Sequence, residues 1–299
     1  MTWDIPQRNL ELVITYARKE ENLNFKLKNN QQTLDIQSNI IFDTSASVSG
    51  AVSELNLTIG GMTPAQMQEL ATSVSFWSNP IIYNKIELYG GYDNNKGTIF
   101  TGNIVEAVPN LNNANYNIQI RALSSFTESV KKSISLDKQG EVKVEDICKE
   151  LANKIKYKTL TDGTAGNIVL ENYSYSNQPI TNHLRYLSSL TGLEIYIEGQ
   201  AIIYKKPGQP LKGVKEYTID SNNLIGIIKP TTQGFECDVR LDPSVRTGIP
   251  VKVKNYTFQR LNTSSYTIMS YSHNGKTRGN DWKTHIWCVN PEFYLKNIQ

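Results

Sequence analysis

The feature that most restricts the fold is a period of two. Leu10, Leu12, Ile14 and Tyr16 recur at every second position, as do Leu23, Phe25 and Leu27, then Leu34 and Ile36. Leu55, Leu57 and Ile59 repeat the pattern and run into Gly60-Gly61. The cleanest case is Tyr116, Ile118, Ile120 and Ala122 set against Asn117, Gln119 and Arg121. Strands of this kind bury one face and wet the other, which points to an antiparallel sheet or barrel.

One helix interrupts the first β segment. Thr63 is suited to the N-cap, Pro64 to the first helical position and Gln66 to the reciprocal bond of a capping box. Met67, Leu70, Ala71 and Val74 follow at helical spacing, so this helix is expected to cover one end or edge of the barrel. After it comes NKIELYGGYDNNKGTIFTGNIVEAV, residues 84–108. Ile86 and Leu88 face one way, Glu87 and Tyr89 the other, and residues 93–97 have the composition of a hairpin loop. Glycine within strands marks bends, bulges or close backbone approach. Gly90, Gly91 and Tyr92, with Phe100 and Gly102 beyond the loop, are therefore expected to shape a tightly coiled barrel.

The middle of the chain changes character. Val144, Ile147, Cys148, Leu151 and Ile155 form a helical stripe. Residues 162–166 (DGTAG) read as a mobile turn. Thr181 is expected to cap a second helix bearing Leu184, Leu187 and Leu190 and ending at Gly192. Residues 193–204 read as a hairpin turning near Glu198-Gly199-Gln200, and PGQP at 207–210 as an exit linker. The last segment is again β, with strands expected at 224–229, 235–241, 251–253, 266–272 and 282–289. The reading is mainly β with an α+β insert: two antiparallel β-barrel domains, residues 1–130 and 209–299, flank a small α+β domain, residues 141–208.

Composition excludes several classes. Of 299 residues, 39% are hydrophobic and 20% charged, which suits a globular chain rather than a disordered one. The net charge of +3 is low for a nucleic-acid binder, and Lys131-Lys132 and Lys205-Lys206 read as solvated faces. No signal peptide is read at the N-terminus, and no apolar run is long enough to span a bilayer. Cys148, Cys237 and Cys288 are isolated, as expected of reduced, buried thiols in a protein made in a cytosol.

Catalytic constellations are weak. No G-x-S-x-G, H-E-x-x-H or Walker loop occurs. His183, His273 and His285 are the only histidines. His273, Asp281 and His285 are near in sequence, and a metal site there would need them to converge. Glu145-Asp146 suit a helix start, and Glu194 and Glu198 share a strand parity. Neither pair is specific, so no enzyme, cofactor or metal is expected.

Three ordered stretches resemble the baseplate hub proteins of phage tails and related contractile injection systems. The first is Ile86 to Tyr92 (IELYGGY) followed by Ile99 to Ile104 (IFTGNI). The second is the helix Val144–Ala152 with the helix and strand Leu184–Ile195. The third is Tyr266–His273 followed by Gly279 to Thr284 (GNDWKT), with Gly248 to Val251 resembling the entry to a barrel strand. Gly248, Trp282 and Thr284 thus join Gly90, Gly91, Tyr92, Phe100 and Gly102 as barrel-shaping candidates. The resemblance implies a structural homotrimer whose two barrels per chain make a pseudo-hexameric ring. Such a ring joins a hexameric tail tube protein to a trimeric central spike protein, contacts other baseplate and tape-measure proteins, and lets DNA pass a polar lumen without specific binding. It implies a virion component assembled in the host cytoplasm, with no membrane anchor and with any spike on a separate polypeptide. A carbohydrate- or host-surface-binding β-rich tail protein is the alternative, since 16 tyrosines would serve either role.

Overall fold

The computed structural model describes residues 7–17, 22–28, 39–49, 52–75, 81, 83–92, 95–111, 116–254 and 256–296. The expected strand at Leu34 and Ile36 and the tip of the hairpin loop at 93–94 lie outside them.

In the first segment, the alternating stretches are strands. They are β1 (Arg8–Thr15), β2 (Asn22–Lys28), β3 (Asn39–Ser47), β4 (Glu54–Gly60), β5 (Lys85–Tyr92), β6 (Asn95–Asn110) and β7 (Asn117–Leu123). Helix α1 (Pro64–Ser73) starts with the expected capping box: Gln66 N–H donates to Thr63 Oγ1, and Thr63 N–H donates to Gln66 Oε1 at 3.0 Å. Its Met67 and Leu70 are fully buried against the sheet, worth about 1.5–3 kcal/mol each.

The middle segment begins after a single π-helical turn, Phe126–Lys131. It holds β8 (Ser133–Lys138), β9 (Val142–Lys143), α2 (Val144–Ile155), β10 (Lys158–Thr161), β11 (Val169–Leu170), β12 (Tyr173–Pro179), α3 (Ile180–Thr191), β13 (Glu194–Glu198) and β14 (Ala201–Lys205). All five stripe residues of α2 are buried. α3 starts earlier than expected: Pro179 is its N-cap, so Thr181 lies inside the helix and is buried. Gly192 ends it in the left-handed region, at φ 67°. Leu190 of its stripe is exposed rather than packed. The DGTAG turn is fastened: Asp162 Oδ1 accepts from the N–H groups of Thr164 and Ala165, and Oδ2 from Lys206 N–H. Lys205 is not a solvated lysine but fully buried, in an ion pair with Glu194. Burial pushes its ammonium pKa down, against the pull of Glu194.

The last segment holds β15 (Tyr217–Ile219), β16 (Leu224–Pro230), β17 (Gly234–Arg240), β18 (Pro250–Val253), the short α4 (Gln259–Thr263), β19 (Tyr266–Lys276), β20 (Trp282–Val289) and α5 (Pro291–Lys296). All three cysteines are free and buried.

The first and last segments form one mainly antiparallel sheet, ordered β16-β17-β20-β19-β3-β4-β7-β6-β5-β1-β2. The join is the antiparallel pairing of β19 with β3, from Ser270↔Ser47 to Lys276↔Ile41. The fork lies at β19: its first residues pair with β18, which pairs in parallel with β15, and its remainder pairs with β3. Two separate apolar cores lie under this sheet. One is built from β1 and β3–β7 with α1, and takes in Leu241 and Trp282. The other is built from β15–β20 and includes Ala46 of β3. A third core belongs to the middle segment. The fold is mainly β, with a large curled antiparallel sheet and an α+β unit inserted between its two halves.

Candidate functional site

At the join between the two sheet cores the inward-facing residues stop being apolar. The rung Val239↔Thr284↔His273↔Thr44↔Leu55 crosses the join, and its three central members are polar and fully buried. Each has a partner. His273 Nδ1 lies 2.8 Å from Thr284 Oγ1, which also accepts from Asp242 N–H. His273 N–H donates to Thr44 Oγ1 at 3.3 Å. Burial, then the nearby Arg246 charge, pushes the His273 pKa well down, so the ring is neutral.

The tip of the β13–β14 hairpin plugs this seam. Glu198, at the end of β13, is buried and accepts from Thr247 N–H at 3.1 and 3.3 Å and from the Thr247 hydroxyl. Thr247 Oγ1 also meets Tyr196 Oη at 3.0 Å, and Tyr271 hydrogen-bonds Glu198. Arg246 joins three chain segments: its Nε is 3.9 Å from Glu198, its Nη2 donates to Thr98 O of β6 at 2.5 Å, and its Nη1 donates to Val245 O at 2.7 Å. Burial raises the Glu198 pKa, and Arg246 and Thr247 oppose the rise. Beside the seam, the β6 region and the α+β unit enclose a cleft of about 740 Å³ lined by Lys85, Glu87, Glu128, Lys156 and Lys158 among others.

The sequence candidates fall in two places. Gly90, Gly91, Tyr92, Phe100 and Gly102 sit on the β5–β6 hairpin, whose strand pairing runs to Tyr92↔Asn95, tighter than a five-residue loop. A bulge at Ile99 turns both Ile99 and Phe100 inward, with Ile99 lying over Gly90. Gly91 has φ +138°, and a Cβ there would stand 2.0 Å from Asn95 O, so only glycine fits. At Gly102 a Cβ would meet Leu123 O of β7 at 2.4 Å. Gly248, Trp282 and Thr284 lie around the seam instead. Gly248 N–H donates to Ile268 O, and its carbonyl accepts from Leu211 N–H, tying the linker to β19. Trp282 packs edge-on to Phe42 at 5.7 Å in the other core.

The enzyme candidates are not brought together. His273 faces inward, whereas His285, opposite Ser272, faces outward and pairs with Asp238. Asp281 pairs with Lys276. Glu194 is engaged by Lys205 and Glu198 by Thr247. Among the described residues no group of three or more His, Cys, Asp and Glu side chains could hold a metal, and no helix is long and apolar enough to cross a membrane. Sequence reasoning missed Arg246, Thr247 and Thr44, which carry no local signal. What the seam can do chemically is lock: it fastens an α+β unit to the midline of a two-core sheet.

Solved structures share this plan. A tail protein from Neisseria meningitidis MC58 superposes with a TM-score of 0.60 at 12% identity, covering 95% of this chain and 98% of that one. The 43 kDa tail protein of prophage MuSo2 from Shewanella oneidensis superposes at 0.59 and 11%, again over 95% and 98%. The E. coli c3393 protein, described as a type VI secretion component with structural similarity to T4 tail proteins gp27 and gp5, superposes at 0.57 and 8%, over 88% and 77%. At these identities the likeness is one of fold. No curated protein matches the sequence. The model of the baseplate hub gp41 family, however, matches residues 22–288. That match spans most of the sequence, and the chain belongs to the baseplate hub gp41 family.

Proposed function

We propose that the protein acts without catalysis, as a ring-shaped adaptor in the virion. Three copies form a homotrimer in which each chain supplies two barrel units, residues 1–130 and 209–299, so that the ring is pseudo-hexameric. One rim seats the hexameric tail tube and the other the trimeric central spike, with the α+β unit, residues 141–208, facing other baseplate components. The observation that carries this reading is the pairing of β19 with β3, which sets two separately cored β units side by side in one sheet. Two similar units per chain are what a trimer needs to present six positions to a six-fold partner. The bulged and glycine-bearing hairpin at Gly90, Gly91, Tyr92, Phe100 and Gly102 curls one unit, and Gly248, Trp282 and Thr284 hold the other against it.

Light scattering on the purified chain, alone and with the spike protein of the same tail, tests the reading. A mass of three subunits in either sample, with rings in negative-stain images, is the expected result. A strict monomer in both overturns it.

A further inference from the structure

The cleft beside the seam is more than the lock requires. At about 740 Å³ it falls within the range of roughly 300–1,000 Å³ typical of sites that bury a ligand. Part of its charged lining is internally paired: Lys85 holds Glu87 at 2.9 Å, and Arg246 lies 3.9 Å from Glu198. Lys156, Lys158 and Glu128 complete that lining. Among the described residues none of these last three forms an ion pair.

The rim extends the positive excess. Lys131 and Lys132 close the π-helical turn, Lys156 follows the last turn of α2, and Lys158 opens β10. All four are exposed. The two on the π-helical turn are held by neutral groups. Lys131 Nζ stands 4.2 Å from the centre of the Tyr83 ring, and Lys132 Nζ donates to Lys154 O at 3.0 Å. Such contacts fix the ammonium groups without cancelling their charge. The carboxyl-terminal dipole of α2 favours a cation at Lys156, but it gives no reason for lysines on the π-helical turn or on β10. Three elements thus converge their cations on one concave site. Thr101, Asn103 and Gln200 add uncharged donors and acceptors to its walls.

We propose that this cleft receives an acidic peptide segment of a partner protein. Its carboxylates meet Lys156 and Lys158 at the mouth and Lys131 and Lys132 along the rim, and its backbone meets Thr101, Asn103 and Gln200. The lining favours a peptide over a nucleic acid. A polynucleotide carries a phosphate at every step and would have to pass Glu87 and Glu128, whereas a peptide can space its carboxylates to the lysines and set a neutral or basic residue against Glu128. The proposal goes beyond the ring reading and does not depend on it.

The probe is a fluorescein-labelled peptide of alternating serine and glutamate, titrated with the full chain at low salt and followed by polarisation. Lys156→Gln with Lys158→Gln removes two charges at the mouth. Lys252→Gln with Lys254→Gln removes two exposed charges on and just after β18 and serves as the control. All four sites are exposed, so equal urea midpoints are expected and confirm that both variants fold. The expected result is binding that weakens about tenfold in the cleft variant and less than about twofold in the control, and that fades as salt is added. No binding by the unsubstituted chain overturns the proposal. Equal losses in the two variants also overturn it, because the peptide then senses only the net charge of +3. A labelled single-stranded DNA that binds more tightly than the peptide, with the same dependence on Lys156 and Lys158, overturns the choice of occupant in favour of nucleic acid. Light scattering on the same samples reads the ring separately, so a monomer that binds the peptide overturns the trimeric reading alone.

Discussion

Replacing Arg246 by Met tests the seam directly, because the guanidinium reaches from the last segment to Thr98 of the first and Glu198 of the middle one. Its separation from Glu198 is 3.9 Å, which at an effective dielectric near 20 is worth about 4 kcal/mol. The Arg246 side chain is 30% exposed, and solvent screening brings the expected loss to about 2–3 kcal/mol. Two bonds to the carbonyls of Thr98 and Val245 go with it, so the total is about 3 kcal/mol. Most of this is the cost of leaving the Glu198 carboxylate buried without a counter-charge. Glu198→Gln removes that charge, so the double variant is expected to recover about half of the loss, a coupling of about 1–2 kcal/mol. The pH dependence has a definite sign. The folded pKa of Glu198 is raised and the unfolded one is not, so folding favours the protonated acid. That stabilisation is complete below the unfolded pKa and is lost as pH rises through the folded one. The Arg246→Met defect is therefore largest near neutral pH and shrinks toward acid. Urea unfolding of the four proteins of the cycle at neutral and acid pH measures it. Strict additivity at neutral pH, or a defect that grows in acid, refutes the account.

The β5–β6 hairpin and the seam histidine give two further tests. Gly102→Ala sets a Cβ 2.4 Å from Leu123 O, and is expected to cost about 1–3 kcal/mol by forcing β6 from β7; an unchanged urea midpoint contradicts the close approach. His273 is held neutral, with its pKa well below 6.5. The unfolded chain therefore takes up a proton first, and the stability present above pH 6.5 is lost as pH falls below it. Between pH 7.5 and 5.5 the loss is about 1 kcal/mol more for the unsubstituted chain than for His273→Gln, read as the difference in urea midpoints; equal pH slopes rule it out.

Legibility in the sequence followed exposure. Strands such as β4 and β7 have one wet and one dry face, so their alternation shows and their extents agree with expectation. α1 was legible to its cap because a capping box is local. β8 and β12 were missed because each alternates at only two apolar positions, Ile134 and Leu136 in one and Tyr173 and Tyr175 in the other, too short a run to stand out. The three-residue β15 is too short to show a period at all. Thr181 was misassigned because a threonine ahead of a leucine stripe is also compatible with the first turn. The candidates Gly248, Trp282 and Thr284 were found through resemblance rather than pattern. Their common place at the seam depends on pairings such as Thr44 with His273, 229 residues apart, which no local window contains. Arg246 lies in a loop, and what makes it important is that its partners Thr98 and Glu198 come from two distant segments.

That same separation bears on how the chain is made. Strand β3 leaves the ribosome well before its neighbour β19, since Thr44 and His273 are 229 residues apart. The first core cannot be completed until Trp282 arrives. At roughly 5–20 residues per second, the exposed edge of β3 waits on the order of ten to forty seconds for its partner. Meanwhile the α+β unit, whose core draws only on its own residues, can fold in passing. The nascent protein thus holds a finished middle between two unfinished halves, and β19 and β20 close the first core as well as their own.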